Sequence, residues 1–435
     1  MKKLAGKFFY ISCALFVLYL LVLWMEWLPP STPAGKKAVA IMEAPLPVIA
    51  DRENAFGEFW LFPFDIPDAD KAKVLAVDIE KFSQPAEGAS TALDEYPIFE
   101  DADDLLCKPR EDGCIEKLRS SQDKYREFFA QNSKLSDKAV ALTRYKSSRS
   151  QFRADLATPL PNFPAPANWQ LTTAAWWHVQ GKQAESIDLA CRAASSWRGM
   201  AENSQGLIDQ MVGLAFYAGM SRLLSEILSE TPNEFELPTS CDDAYRPVEL
   251  KKFPVCQSIK LEYRMMMGIE TDPKTVSGPS PDMKGQSGTV NRMNSLWNNK
   301  RATKEKFALG FVEQCSDDRE ILKESEKPKE NFWNGLSFTE LVFNPIGGIL
   351  ANISLSDYSH YSERMQNLVV IRQAMQIVLD DRIGKQPASS AATDISIPGN
   401  MRLNRDAKTV EVDLYKGANK TEKLSLRLAG SRQAK

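Results

Sequence analysis

Between Phe8 and Met25 the chain runs for 18 residues without a charge, preceded by Lys2, Lys3 and Lys7 and closed by Glu26, Trp27, Pro29 and Pro30. No other feature limits the fold as much, because an uninterrupted apolar run of this length needs an apolar solvent along its whole surface. As a helix rising about 1.5 Å per residue it reaches roughly 27 Å, close to the hydrocarbon thickness of a bilayer. The sequence therefore predicts one transmembrane helix over residues 8–28, in contact with the lipid bilayer. Tyr19, Trp24 and Trp27 suit its outer interfacial belt.

Orientation follows from charge. Three lysines precede the run and no lysine or arginine follows it before Lys36, so the stub of residues 1–7 is expected in the cytoplasm and the body outside. For a bacterial chain this means the inner membrane with the body in the periplasm. A stub of about seven residues is too short for a signalling domain. A cleaved signal peptide would need a shorter apolar core and a small-x-small cleavage site, whereas this run ends in Trp24-Met25-Glu26-Trp27-Leu28-Pro29-Pro30. Cys13 lies inside the run with too little apolar sequence before it for a lipoprotein signal.

The expected fold is mainly α, a single N-terminal transmembrane helix followed by an extracytoplasmic domain of packed helical hairpins with a small C-terminal antiparallel β element. Residues 29–50, with Pro29, Pro30, Pro33, Pro45 and Pro47, read as an extended proline-rich tether. Residues 51–384 read as the helical body, and 385–435 as the β element and tail. Phe56, Phe59, Trp60, Phe62 and Phe64 crowd five aromatics into ten positions, either a wedge in the core or a contact surface next to the membrane.

Residues 115–155 predict one long or two shorter charged helices. Pro159, Pro161, Pro164 and Pro166 then break the chain, and helices follow over 169–179, 183–198 and 207–231 with apolar residues at three- and four-residue spacing. Gly181 and the small residues up to Ala194 resemble one tetratricopeptide-type hairpin, without a 34-residue period. Residues 271–306 are rich in Pro, Gly and Asn and read as a long loop. A buried helix is expected at 364–382. The alternation of Val410, Val412 and Leu414 and of Leu424, Leu426 and Leu428 predicts two strands joined by a turn at Gly417 and Asn419.

Six cysteines lie outside the apolar run, an even number that suits disulfides in an oxidising compartment. Proximity in sequence pairs Cys107 with Cys114 and Cys241 with Cys256, leaving Cys191 for Cys315. No Cys-x-x-Cys or neighbouring histidine supplies zinc spacing. Asp101, Asp103 and Asp104 are the densest acidic cluster in a region that carries 18 acidic against 7 basic residues from Asp51 to Lys117. It lacks the glycine and closing glutamate of a calcium loop. No metal or cofactor is expected.

The net charge of -3 removes the basic excess that nucleic-acid binding requires. Catalytic signatures are equally scarce. His178 stands beside two tryptophans and reads as structural. His360, between Tyr358 and Tyr361, is the stronger candidate and joins the aromatic segment as a contact surface. Ser121-Gln122-Asp123-Lys124 matches Ser-x-x-Lys without its companion motifs, and no Walker loop, dinucleotide fingerprint or His-Glu-x-x-His occurs. Asn352-Ile353-Ser354 and Asn419-Lys420-Thr421 would be glycosylation acceptors in a eukaryotic secretory pathway. The expected function is that of a membrane-anchored extracytoplasmic binding or scaffold protein of the cell envelope, acting on another envelope protein through protein-protein contacts. The alternative is an envelope hydrolase or lyase using paired carboxylates.

Overall fold

The computed structural model describes residues 10–19, 21, 28, 30–83, 91–99, 104–153, 158–271, 299–319, 338–344, 358–383, 401–404, 406–417 and 420–428. It is mostly helical, with one small antiparallel sheet near the C-terminus. The chain divides into two compact units. One comprises 1–46, 154–156 and 259–358; the other 47–153, 157–258 and 359–435. The stretch 51–384, expected as one body, thus contributes to both.

The first unit begins with the apolar helix α1 (Tyr10–Tyr19), whose Ile11, Leu15, Phe16, Val17 and Leu18 side chains are exposed. The expected tether is not extended. Residues 33–43 form α2 (Pro33–Glu43), because Pro33 occupies the first turn, where its missing N–H costs nothing, and the Thr32 hydroxyl accepts from Gly35 N at 2.9 Å. This helix lies on a later one, Lys300–Phe311. There Ala34, Ala38 and Met42 are buried, and a Cβ on Gly35 would stand 2.8 Å from the Glu305 carboxylate. Glu305 in turn accepts from Ser31 and Thr32. Prolines spaced for a tether also serve a helix start, and the apolar face decided between the two.

The second unit is built on three long antiparallel helices. After α3 (Phe56–Leu61), α4 (Asp68–Lys81), α5 (Cys114–Arg119), α6 (Gln122–Gln131) and α7 (Ser133–Ala141) come α8 (Pro164–Val179), α9 (Gln183–Asn203) and α10 (Leu207–Glu230). Three short helices thus replace the one or two expected over 115–155, with breaks at Ser120–Ser121 and Asn132. Gly181, at φ +79°, turns α8 into α9, and Lys182 N closes the turn on Trp177 O at 2.9 Å. Helices α9 and α10 approach closely because Gly213 has no side chain. A Cβ there would come within 2.6 Å of Ala201 N and 2.9 Å of Trp197 O. Leu207–Glu230 is also the one helix among the described residues long and apolar enough to cross a membrane, but 78% of its apolar window is buried inside the protein, so it is the core helix of this unit.

The aromatic segment is core, not contact surface. Phe56, Phe59, Trp60 and Phe62 are buried and Phe64 half-buried. Phe59 packs against Phe163 and Trp197, while Phe56 and Trp60 meet Phe152 edge-on. The Lys138 ammonium, from α7, donates to the carbonyls of Leu61, Phe62 and Phe64 at 3.2, 3.0 and 2.8 Å, satisfying groups that the end of α3 leaves open. Burial pushes this ammonium down to about 8.

Helix α11 (Thr239–Tyr245) lies along α9, and this placement corrects the disulfide pairing. Cys107–Cys114 forms as expected, but Cys191 is bonded to Cys241, with Cα atoms 4.7 Å apart. Neither the expected Cys241–Cys256 nor Cys191–Cys315 exists; helix packing across 50 residues outweighs proximity in sequence. Cys256 and Cys315 are also disulfide-bonded, and Cys13 is free.

Helices α12 (Cys256–Thr271), α13 (Lys300–Phe311) and α14 (Phe338–Phe343) follow, most of their residues in the first unit. Asn299 caps α13 through Ala302 N at 2.9 Å, so helix begins inside the expected loop 271–306. Residues 272–298, most of that loop, lie outside the described residues, as do 345–348 and the turn at Asn419. The second unit ends with α15 (Ser359–Met365), α16 (Asn367–Arg382) and strands β1 (Met401–Asn404), β2 (Thr409–Gly417) and β3 (Lys420–Arg427) in order β1-β2-β3. Val410 pairs with Leu426 and Val412 with Leu424. All four are buried, and the sheet packs on α10 and α16. The β element is therefore a wall of the helical unit and not an appendage.

Candidate functional site

Five cationic side chains from four separate parts of the second unit meet around one cavity of about 100 Å³. Its floor is apolar: Met211, Leu214, Ala215 and Ala218 from α10, Ile371 from α16 and Leu414 from β2. Around these stand Arg110, Arg222, Arg364, Lys416 and Lys423, with Glu422 as the one carboxylate among the lining residues.

The Cys107–Cys114 bridge shapes the first lip by closing a short loop that carries Pro109 and Arg110. The loop settles directly on α10 because Gly219 leaves room; a Cβ there would lie 2.6 Å from that of Pro109. Arg222 then donates to Pro109 O at 2.6 Å and pairs with Asp112 at 3.0 Å, while Gly113 N donates to Glu226 at 3.1 Å. Gly113 has φ +77°, a conformation open to glycine at little cost. Burial pushes the Glu226 carboxyl above its ordinary value.

The opposite lip is the β2–β3 end. Asn367 Nδ2 donates to Tyr415 O at 2.9 Å and Tyr415 N returns a bond to Asn367 Oδ1 at 2.8 Å. Arg364 donates to Lys416 O and lies 5.4 Å from the centre of the Tyr361 ring. Arg110 crosses the mouth to Glu422 at 3.0 Å, and Lys416 stands 3.8 Å from the same carboxylate. Lys423 is exposed. Counting Glu422 and Asp112 against the five cations leaves this mouth positive on a chain whose net charge is -3. A cationic rim over an apolar floor is an arrangement able to hold an anionic group attached to something apolar.

A larger cavity of about 320 Å³ lies between the end of α9, the 246–254 loop and the junction of α15 and α16. Arg198 holds that loop, donating to Ala244, Arg246 and Pro247 carbonyls at 3.2, 2.7 and 3.1 Å and to Glu202 at 2.9 Å. Arg246 also reaches Glu202 at 3.7 Å. The Arg198 guanidinium is thus committed to holding the wall of this cavity.

The other residues singled out from sequence go elsewhere. His178 Nε2 lies 3.1 Å from Glu230, which also pairs with Arg119. The His178 hydrogen bond, aided by Arg119, holds the Glu230 carboxyl down at about 2. The group is a surface brace between α5, α8 and α10 and lines neither cavity. His360 Nδ1 is 3.5 Å from Glu363, Tyr361 carries the stacked Arg364 at the edge of the cationic cavity, and Tyr358 is buried against Phe311 at 5.1 Å. The proposed surface patch of Tyr358, His360 and Tyr361 therefore loses Tyr358 to the core. Ser121 and Lys124 are exposed at the start of α6. Among the described residues no group of three or more His, Cys, Asp or Glu is placed to hold a metal. Asp101, Asp103 and both glycosylation asparagines, Asn352 and Asn419, lie outside the described residues.

The five cations escaped the sequence reading because they are spread from Arg110 to Lys423 and converge only in the folded chain. The signals available were the Cys-Lys-Pro-Arg-Glu-Asp-Gly-Cys loop and a glycine at 219 inside an otherwise strong helix. No protein-family model, curated protein sequence or solved structure matches the chain.

Proposed function

We propose that the chain is a membrane-anchored extracytoplasmic binding or scaffold protein of the cell envelope that acts on another envelope protein. The observation that carries this reading is the cation-rimmed apolar cavity, whose five cations and apolar floor suit recognition of an anionic group. Acidic segments with an apolar side chain fit it, the carboxylates meeting Arg110 and Lys423 and the apolar group the α10 floor. The apolar run of residues 8–28 supplies a single bilayer span, with N-terminus in the cytoplasm and body in the periplasm of a bacterium, and α1 with its exposed apolar side chains supports it. Burial raises the carboxyls of Asp209 (to about 6), Glu226 and Glu262, and none of the three lines either cavity.

A photo-crosslinking residue at Lys423, in the full chain in its native membrane, is expected to give one discrete adduct. Arg110→Glu should abolish that adduct, and the same probe at Arg126, on the outside of α6, should give none. Equal labelling from both sites, or insensitivity to Arg110→Glu, refutes the reading.

A further inference from the structure

Within the first unit, α1 does not stand alone. The Tyr19 hydroxyl donates to the carbonyl of Val342 at 3.0 Å, and its ring lies 5.6 Å from that of Phe343. Both partners belong to α14, a helix of six residues in sequence Phe-Thr-Glu-Leu-Val-Phe. At the other end of α14, Phe338 is 78% exposed, a large apolar surface with no protein over most of it.

A buried polar cluster fixes where α14 stands along the proposed span. Asn299 Nδ2 donates to Leu28 O at 2.9 Å, at the outer end of the span. Asn299 N donates to Asn344 Oδ1 at 2.8 Å, and Asn344 exchanges a 3.1 Å hydrogen bond with Thr303. Asn344 is fully buried and Asn299 nearly so. The residue that follows α14 is thus joined through Asn299 to the outer boundary of the span, while Val342 and Phe343 reach Tyr19, which is inside it. A backbone carbonyl in an apolar medium needs a donor, and the Tyr19 hydroxyl is one.

Resting on the anchor reading above, we propose that α14 is a second membrane-contacting element, lodged in the bilayer against α1 beside Tyr19, with Phe338 in lipid. Six residues cannot cross a bilayer, so α14 enters it without spanning it. The first unit is then held at the membrane at two points, and the capped α2 replaces free tether with a docked helix.

The test is a nitroxide spin label on Phe338→Cys in a Cys13→Ser background. The other six cysteines are all disulfide-bonded, so labelling is confined to the new thiol. The full chain is reconstituted in phosphatidylethanolamine–phosphatidylglycerol vesicles, and collisions with oxygen are compared with those of a water-soluble nickel chelate. Phe16→Cys serves as the anchor reference and Arg126→Cys as the aqueous one. The expected result is an oxygen-to-nickel ratio at 338 several-fold above that at 126 and close to that at 16. A ratio at 338 equal to that at 126, with 16 in lipid, overturns the inference and leaves the anchor standing. An aqueous ratio at 16 overturns both. Because Phe338 is exposed, its replacement leaves the fold intact, and the Tyr19→Phe variant gives a second reading: loss of the donor to Val342 should lower the ratio at 338.

Discussion

Asp78 is a carboxylate with no solvent exposure and three neutral donors: Trp60 Nε1 at 2.8 Å and Thr91 Oγ1 at 2.6 Å on one oxygen, Ala92 N at 2.7 Å on the other. It ties α4 to α3 and to the 3₁₀ turn of residues 92–95. Asp78→Asn keeps the shape, yet no orientation of the amide satisfies all three donors. With its NH₂ in place of Oδ2 it faces the Trp60 N–H, which can only donate; turned over, it faces the Ala92 N–H. One buried donor is then unpaired, at about 1–3 kcal/mol, and the remaining bonds weaken from charge-assisted to neutral, about 1 kcal/mol each. Relief from burying a charge returns part of this, leaving about 2 kcal/mol of destabilisation. Urea unfolding of the detergent-solubilised chain measures the cost, and hydrogen exchange of the 91–96 amides localises it. Thr91→Val combined with Asp78→Asn should show coupling of about 1 kcal/mol. A cost below about 0.5 kcal/mol, or unchanged exchange at 91–96, would refute the claim that the Asp78 carboxylate organises this corner.

Three further outcomes follow from the same structure. Asp209, at an ordinary value of 3.8, is pushed up by burial to about 6; below pH 4 it is protonated folded and unfolded alike, and above pH 6 the folded state carries a buried charge. Stability from this group therefore falls as pH rises from about 4 to 6, by about 3 kcal/mol, and Asp209→Asn should stabilise the chain at pH 7 but not at pH 4 in parallel urea titrations. Replacing Cys191 and Cys241 together by alanine should cost about 4 kcal/mol, against about 2.4 for Cys107 with Cys114, because the first closes a loop across 50 residues and the second across 7; equal losses of thermal stability would contradict this. Gly213→Ala should lower stability by about 2 kcal/mol or more, since its Cβ meets backbone on α9, whereas Gly181→Ala, with open space around it but φ +79°, should cost about 1 kcal/mol; thermal melts that rank the two the other way would dismiss the close α9–α10 crossing.

What the sequence determined by itself are the features carried by local pattern. The uncharged run yields an apolar helix at Tyr10–Tyr19, the three- and four-residue spacing yields α8, α9, α10 and α16, and the alternation at 410–414 and 424–428 yields the paired strands. Each follows from periodicities of the backbone itself, which need no knowledge of distant residues. Cys107 finds Cys114 because the two are only seven residues apart in sequence.

Tertiary structure alone decided the rest. Cys241 bonds Cys191 because α11 lies on α9, and Phe56, Phe59 and Trp60 of the 56–64 segment turn inward because Phe152, Phe163 and Trp197 arrive from far along the chain to cover them. Prolines at 29–47 could serve a tether or a helix start, and the apolar face of α13 made α2 a helix. The cationic cavity was unreadable because charge adds up in space: Arg110 and Lys423 are neighbours of one mouth only after α10, α16 and the sheet have packed, and the Pro109–Arg110 loop settles on α10 only because Gly219 lacks a side chain.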